Sequence, residues 1–340
     1  MLSVVCPIYN EERYIRSCIE SILSQDYPRE GLEVLFVDGM STDRTREIVA
    51  EYACRYPFIR LIDNPRKIVP CAMNIGIRAS RGEVIVRLDA HAIFPTNYFS
   101  ELVRSLDELK ADNVGGVCLT LPMNDTPVCR GIANVLSSGF GVGNSGTAII
   151  KMLMTAGARD IIAVDTVPFG CFRRDIFDRI GYFDEELTRN QDDEFNGRIV
   201  KNGGKIYLLP HLAIKYYARD SIRKVWKMYY QYGLFKPLVN KKLGRPATIR
   251  QFFPPCFVLG VVLGPVLGFL SPWFWIAYLA VILCYFALAT GFSLRYSKKW
   301  KDVLLQDCIY FVVHFSYGAG YLAGLMKLLF RRPFHVQVNR

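Results

Sequence analysis

Short apolar runs alternate with amphipathic stretches through the first hundred residues. Residues 2–6, 33–37, 58–62 and 84–88 are brief, β-branched runs without polar alternation, the pattern of strands buried on both faces. Between them, Ile15, Cys18, Ile19, Ile22 and Leu23 recur at helical spacing, with Asn10 as the expected N-cap. Ile48, Val49 and Tyr52 mark a second helix after the turn DGMST, and residues 69–79 a third. Successive β-α-β units of this length require right-handed crossovers and a parallel sheet covered by helices on both sides.

The pattern changes beyond residue 250. Residues 252–270, 273–294 and 309–326 run for 19, 22 and 18 positions without a charge. At about 1.5 Å per helical residue each reaches, or nearly reaches, across a hydrocarbon core of about 30 Å. The C-terminal quarter of this 340-residue chain is therefore expected in a membrane, and it holds much of the 51% hydrophobic content. No basic leader precedes the apolar start, which predicts that the first 250 residues stay in the cytoplasm.

The net charge of +11 has an address. Arg219, Arg223, Lys224, Lys227, Lys236, Lys241, Lys242, Arg245 and Arg250 face only Asp220 between residues 219 and 250. Just before a membrane segment, such a stretch predicts lipid rather than nucleic acid as its partner. Arg295, Lys298, Lys299 and Lys301 place the loop after the first two apolar segments on the cytoplasmic side. A third crossing would then carry the basic tail 331–340 outside, a conflict the pattern leaves open. Ten cysteines without a C-x-x-C pair predict reduced thiols, and four scattered histidines show no zinc spacing.

Chemistry gathers at the ends of the expected strands. VIVRLDAH, residues 84–91, reads as a buried strand presenting Asp89 and His91. Two residues apart on an extended backbone they point the same way, and together can hold a divalent metal, which in turn can hold a diphosphate. Asp38, in VDGMST, can accept from a nucleobase or a ribose hydroxyl, or can make an Asx-type turn. Tyr9 and Glu11 follow the first strand toward the same crevice. No G-x-G-x-x-G is present.

CPIYNEE, FVDGMSTDRT, RLDAHA and the later NQDDEFNGRI follow one another as in the inverting family two of nucleotide-sugar glycosyltransferases. The chain resembles that family over about residues 1–220, and is most similar to its bacterial succinoglycan-type exopolysaccharide members. The resemblance implies an α/β, Rossmann-like GT-A domain with a mainly parallel sheet over residues 1–220. A basic interfacial segment, 221–250, follows, then a C-terminal α-helical transmembrane region, 251–330, with spans 252–270, 273–294 and 309–330, and a tail, 331–340. It implies that Pro7, Tyr9, Glu11 and Asp38 line the uridine pocket, and that Asp89 with His91 occupies the metal and diphosphate position. His91 stands where the family usually has an aspartate, which favours Mn²⁺ over the more oxygen-demanding Mg²⁺.

The same resemblance makes Asp192 the general base, with Asp193 and Glu194 as second choices. Three acids in a helix's first turn also suit the helix dipole. VPFGCFRRD resembles an acceptor loop, where Gly170 and Cys171 would let backbone approach a sugar and Arg173 and Arg174 would be free for phosphate or lipid. Asn74 and Gly76 resemble the segment beneath the diphosphate. Arg219 or Arg223 could neutralise the leaving group, although the Gln-x-x-Arg-Trp motif of processive synthases is absent around Trp226. The implied activity is a membrane-bound transfer of one sugar, from UDP-hexose above other donors, to a lipid-linked saccharide. A processive synthase, a nucleotidyltransferase and a non-catalytic scaffold are the alternatives. The glycine pairs Gly260 with Gly264 and Gly320 with Gly324 are expected by chance in segments this glycine-rich.

Overall fold

The structure, a computed structural model, describes residues 1–143, 161–246 and 248–334, so residues 335–340 of the tail lie outside it. These divide into two compact units. The first comprises residues 1–119 and 161–216. It opens β1 (Leu2–Ile8), α1 (Ile15–Leu23), β2 (Leu32–Asp38), α2 (Thr45–Arg55), β3 (Ile59–Asp63), α3 (Val69–Ala79) and β4 (Val84–Arg87). β1 pairs in parallel with both β2 and β4, and β2 with β3. Alternate residues of the buried strands feed two cores. Val4, Cys6, Val34 and Phe36 pack with Ile15, Ile19 and Val49 of α1 and α2. Val5, Leu35 and Val37 pack with Met73 and Ile77 of α3. Both faces are covered because both are apolar, as the runs required.

The later strands are short and join differently. β5 (Ala92–Ile93), β6 (Asn113–Leu121), β7 (Ile162–Ala163), β8 (Cys171–Arg173) and β9 (Ile206–Tyr217) extend the sheet in the order β3-β2-β1-β4-β8-β6-β9-β5, with β7 also on β9. β8 runs antiparallel to β4 and β6, and β9 antiparallel to β5 and β7. The parallel half was expected; the antiparallel extension is the addition. Asn10 is not the N-cap of α1, which begins five residues later at Ile15, after Tyr14. Instead Asn10 takes a left-handed φ of 52° and its side chain accepts from the Thr42 backbone N–H at 2.9 Å.

The second unit contains residues 120–143, 217–246 and 248–334. α4 (Tyr98–Glu108) closes the helices of the first unit's N-terminal half, and α5 (Pro127–Leu136) and α6 (Gly139–Val142) belong to the second. Asp175–Ile180 and Gln191–Lys201 are α7 and α8 of the first unit. α9 (Ile222–Leu243), α10 (Phe253–Gly268), α11 (Pro272–Ser293) and α12 (Trp300–Leu329) complete the second. Three stretches, Ile249–Gly268, Pro272–Ser293 and Trp300–Leu329, are long and apolar enough to cross a membrane. The third begins nine residues before the uncharged window, because Asp302, Gln306 and Asp307 are accommodated: Asp307 accepts from Thr290 and Ser293, each at 2.6 Å.

The glycines of α12 are used, contrary to the chance expectation. A Cβ on Gly320 would strike the carbonyl of Tyr230, and one on Gly324 that of Leu234. Only hydrogen at these positions lets α9 and α12 approach this closely. Gly320→Leu or Gly324→Leu should cost about 1–3 kcal/mol by overpacking, read as an earlier thermal loss of helical signal in detergent. Gly260→Leu should be tolerated, since an added Cβ there meets nothing within 4 Å.

Candidate functional site

The order β3-β2-β1-β4 reverses direction at β1, so a crevice opens between the carboxyl ends of β1 and β4. Open α/β sheets bind ligands at such a switch point. Ile8 at the tip of β1 lies opposite Asp38 at the tip of β2, and Pro7 pairs with Val37 beside it. Tyr9 leaves β1 partly buried, against Gly39, where a Cβ would come within 3.2 Å of its ring. Asp38 is fully buried. One oxygen accepts from the Ser41 backbone N–H at 2.9 Å and from Arg46 at 2.6 Å, and the other from the Ser41 hydroxyl. The Asx-type turn is thus present, and Arg46 supplies its counter-charge while also reaching Asp63 at 2.8 Å.

β4 stops at Arg87, two residues short of Asp89. The Ala92 N–H bonds back to the Asp89 carbonyl at 3.2 Å, so Asp89 and His91 sit in a turn rather than on extended backbone. Their side chains accordingly have different neighbours, which corrects the alternation argument. Asp89 accepts from Arg87 at 3.1 and 3.3 Å. His91 places Nδ1 4.0 Å from a Glu11 oxygen and its ring edge-on to Tyr216, centroids 5.2 Å apart. Glu11 and His91, from the loops after β1 and β4, thereby meet across the switch point.

Arg87 opens the motif RLDAHA, yet the sequence reading gave it no role. Its guanidinium, 8% exposed, bridges Asp89 and Asp192, the latter 105 positions away in sequence. Asp192 is in the first turn of α8, entered through Asn190 at a left-handed φ of 59°, and 39% of its side chain reaches solvent. Burial raises the Asp192 carboxyl above its ordinary range and nearby Asp89 and Asp193 push the same way, while Arg87 pulls it back. Asp192 and Asp89 in turn outweigh desolvation and hold Arg87 firmly charged. One signal was available: a lone arginine inside the apolar run VIVRL. A cation is found inside a buried strand when it has anions to meet.

Other expected roles are rearranged. Glu194 is 3% exposed and held by Arg198 at 2.7 and 3.0 Å. Arg198 also donates to the Ile180 and Tyr182 carbonyls, so this acid and base staple α8 in place. Arg173 donates to the Leu106 and Ala111 carbonyls, and Arg174 to those of Gly82 and Ile77; neither is free for phosphate or lipid. Asn74 spends its amide on the Phe183 backbone, accepting at 3.0 and donating at 2.9 Å. Gly76 packs on Val5 and Val37. A Cβ on Gly170 would collide with the Phe172 ring, and Cys171 is fully buried in β8, where burial pushes its thiol up. Arg219 and Arg223 belong to the second unit.

Among the described residues no three His, Cys, Asp or Glu side chains converge as a metal cage. Asp89, 17% exposed at the crevice, with His91 nearby in the turn, fits a cation that takes one or two protein ligands and fills its remaining positions with water and diphosphate oxygens.

A model of the family described as Glycosyl transferase family 2 matches residues 3–181. A Methanococcus voltae protein named dolichyl N-acetyl-alpha-D-glucosaminyl phosphate 3-beta-D-2,3-diacetamido-2,3-dideoxy-beta-D-glucuronosyltransferase is 29% identical over 96% of this chain and 97% of its own length. The succinoglycan biosynthesis protein ExoA of Rhizobium meliloti is 24% identical over 97% and 96%. Among solved structures, the mannosyltransferase PcManGT of Pyrobaculum calidifontis, in complex with GDP-Man and Mn²⁺, superposes with a TM-score of 0.55 at 21% identity, covering 97% of this chain and 87% of that one.

Proposed function

Since the chain belongs to glycosyl transferase family 2 and is a glycosyltransferase, we propose that it moves a hexosyl group from a nucleoside diphosphate sugar, UDP-hexose above others, to a hydroxyl of a lipid-linked saccharide, with inversion. The observation that carries this reading is the convergence of Asp89 and Asp192 on Arg87 at the switch point. In the reaction the bond from the anomeric carbon to the diphosphate oxygen breaks as the acceptor oxygen bonds from the opposite face. The acceptor's proton passes to an Asp192 oxygen, and the nucleoside diphosphate leaves. Pro7, Tyr9, Glu11 and Asp38 flank the nucleoside; Asp89 with His91 faces the diphosphate. A divalent cation bound there would neutralise charge gathering on the leaving diphosphate.

The name of the Methanococcus relative, a transferase acting on a dolichyl-linked sugar phosphate, supports a lipid-linked acceptor. The apolar helices and the basic loop at Arg295–Lys301 support a membrane setting with the first unit on the cytoplasmic side. Three apolar helices among the described residues of the second unit leave little material for a polymer channel, which favours single transfer. Incubating the detergent-extracted protein with a panel of nucleotide sugars, Mn²⁺ or Mg²⁺ and lipid-linked saccharides should yield a product one sugar longer; long polymer would reverse that preference.

The metal reading makes a separate prediction. Asp89→Ala should lower turnover by about two orders of magnitude, since leaving-group charge is worth several kcal/mol. His91→Asp should retain turnover and shift the preferred cation from Mn²⁺ toward Mg²⁺, measured as rate against the concentration of each. An unaltered metal profile in both variants would place the cation elsewhere.

A further inference from the structure

Helices α9 and α12 touch along glycines, and the register of that contact decides how the second unit meets a bilayer. Gly320 abuts the carbonyl of Tyr230, Gly324 that of Leu234, and Gly233 lies against the backbone N of Tyr321. Residues one turn apart on α12 thus meet residues one turn apart on α9 in the same order, so the two helices run side by side in the same direction. Trp226 against Phe315, centroids 6.0 Å apart, continues the register. Lys224 then stands level with His314 and Lys227 with Tyr317, the middle of the uncharged window 309–326.

If that window crossed the membrane, Arg223, Lys224 and Lys227, all exposed on α9, would be carried to mid-depth beside it. Each such cation costs about 2.5–3.5 kcal/mol near the centre of a bilayer. Lys224 would also bring its partner Asp220, 2.9 Å away. The burial pattern points the same way. No residue of α12 from Ile309 to Gly324 is exposed, and 44% of its apolar window is buried against 11% for α11. Side chains there are at most partly exposed, so this helix offers acyl chains far less surface than α11 does.

The α10–α11 hairpin is different. It meets α12 near its open end, where Pro254 abuts Gly318 and Tyr285 bonds His314 at 2.8 Å. Toward the turn it exposes Val262, Val266, Phe269, Leu270 and Trp273. We propose that only this hairpin enters the bilayer, while α9 and α12 lie together along the anionic headgroups, with the α9 cations on lipid phosphates. The conflict of a basic tail sent outside then disappears, because the loop after α11 and the residues after α12 share one side.

The test is side-specific labelling of the full chain in sealed membrane vesicles of each orientation, using a membrane-impermeant maleimide. The exposed Cys54, Cys256, Cys284 and Cys308 and the half-buried Cys118 are first replaced by serine, and Lys298→Cys or Arg332→Cys supplies the accessible reporter. Both reporters labelling in the same vesicle orientation is the expected result. Labelling from opposite faces would overturn the arrangement. A second pair, Lys299→Cys and Pro333→Cys, guards against local disturbance, and discordant sides in either pair count against the proposal.

Discussion

Asp192→Asn should reduce sugar transfer by about 10³-fold or more while leaving nucleotide binding within a few-fold. A positioned general base contributes about 10²–10⁴ in rate, and the amide cannot accept the acceptor's proton at all. The substitution is nearly isosteric, its oxygen can still accept from Arg87, and 39% of the side chain already reaches solvent, so the fold should tolerate it. Initial rates of transfer, set beside calorimetric titration of the nucleoside diphosphate, separate the two effects. Turnover comparable to the parent enzyme would remove Asp192 from the mechanism and send the search for a base to Asp193.

Arg87→Met should cost both stability and rate. Taking one partner from a buried ion pair costs about 3–5 kcal/mol, because the other charge is left uncompensated; the partial exposure of Asp192 sets the expectation at the lower end, about 3 kcal/mol. For a unit the size of the first, which contains Arg87, that lowers the melting temperature by about 6–12 °C. The rate effect has a signature of its own. Partial burial, with Asp89 and Asp193 nearby, already holds the Asp192 carboxyl high and Arg87 is the counter-pull, so without Arg87 the carboxyl rises further and the base keeps its proton to a higher pH. The acid limb of the rate profile should move upward, with a larger deficit at pH 6 than at pH 8. Arg87→Lys should restore much of the pH profile but not the full rate, since an ammonium supplies the charge without the fork that spans two carboxylates. A variant that melts early yet keeps the parental pH profile would mark Arg87 as structural only.

The parts of the fold legible in advance were those set by local pattern. Residues 69–79 read as a helix and fold as one over the same span, and the four N-terminal strands fall within two residues of their expected limits. β4 ended early for a reason no window shows: the chain leaves it into a turn at Asp89–Ala92. β5 and β7 are two residues each, too brief for periodicity to register, which left the antiparallel extension unseen. At the site, Asp89 and Asp192 were visible as motif residues, but the guanidinium between them, though inside the same motif as Asp89, was given no role. Arg173 and Arg174 failed in the opposite sense. Their charge suggested a ligand, whereas helix-end carbonyls several segments away had already claimed them.

The reversal of strand order at β1 has a consequence for redesign. Beneath the crevice, Val4, Val5, Val34, Leu35, Ile85 and Val86 are fully sealed, while Tyr9 sits on the connection after β1 and Asp89 on the turn after β4. A randomised library aimed at a new donor should therefore diversify those connections and leave the strands untouched, because the floor bears the stability and the rim the preference.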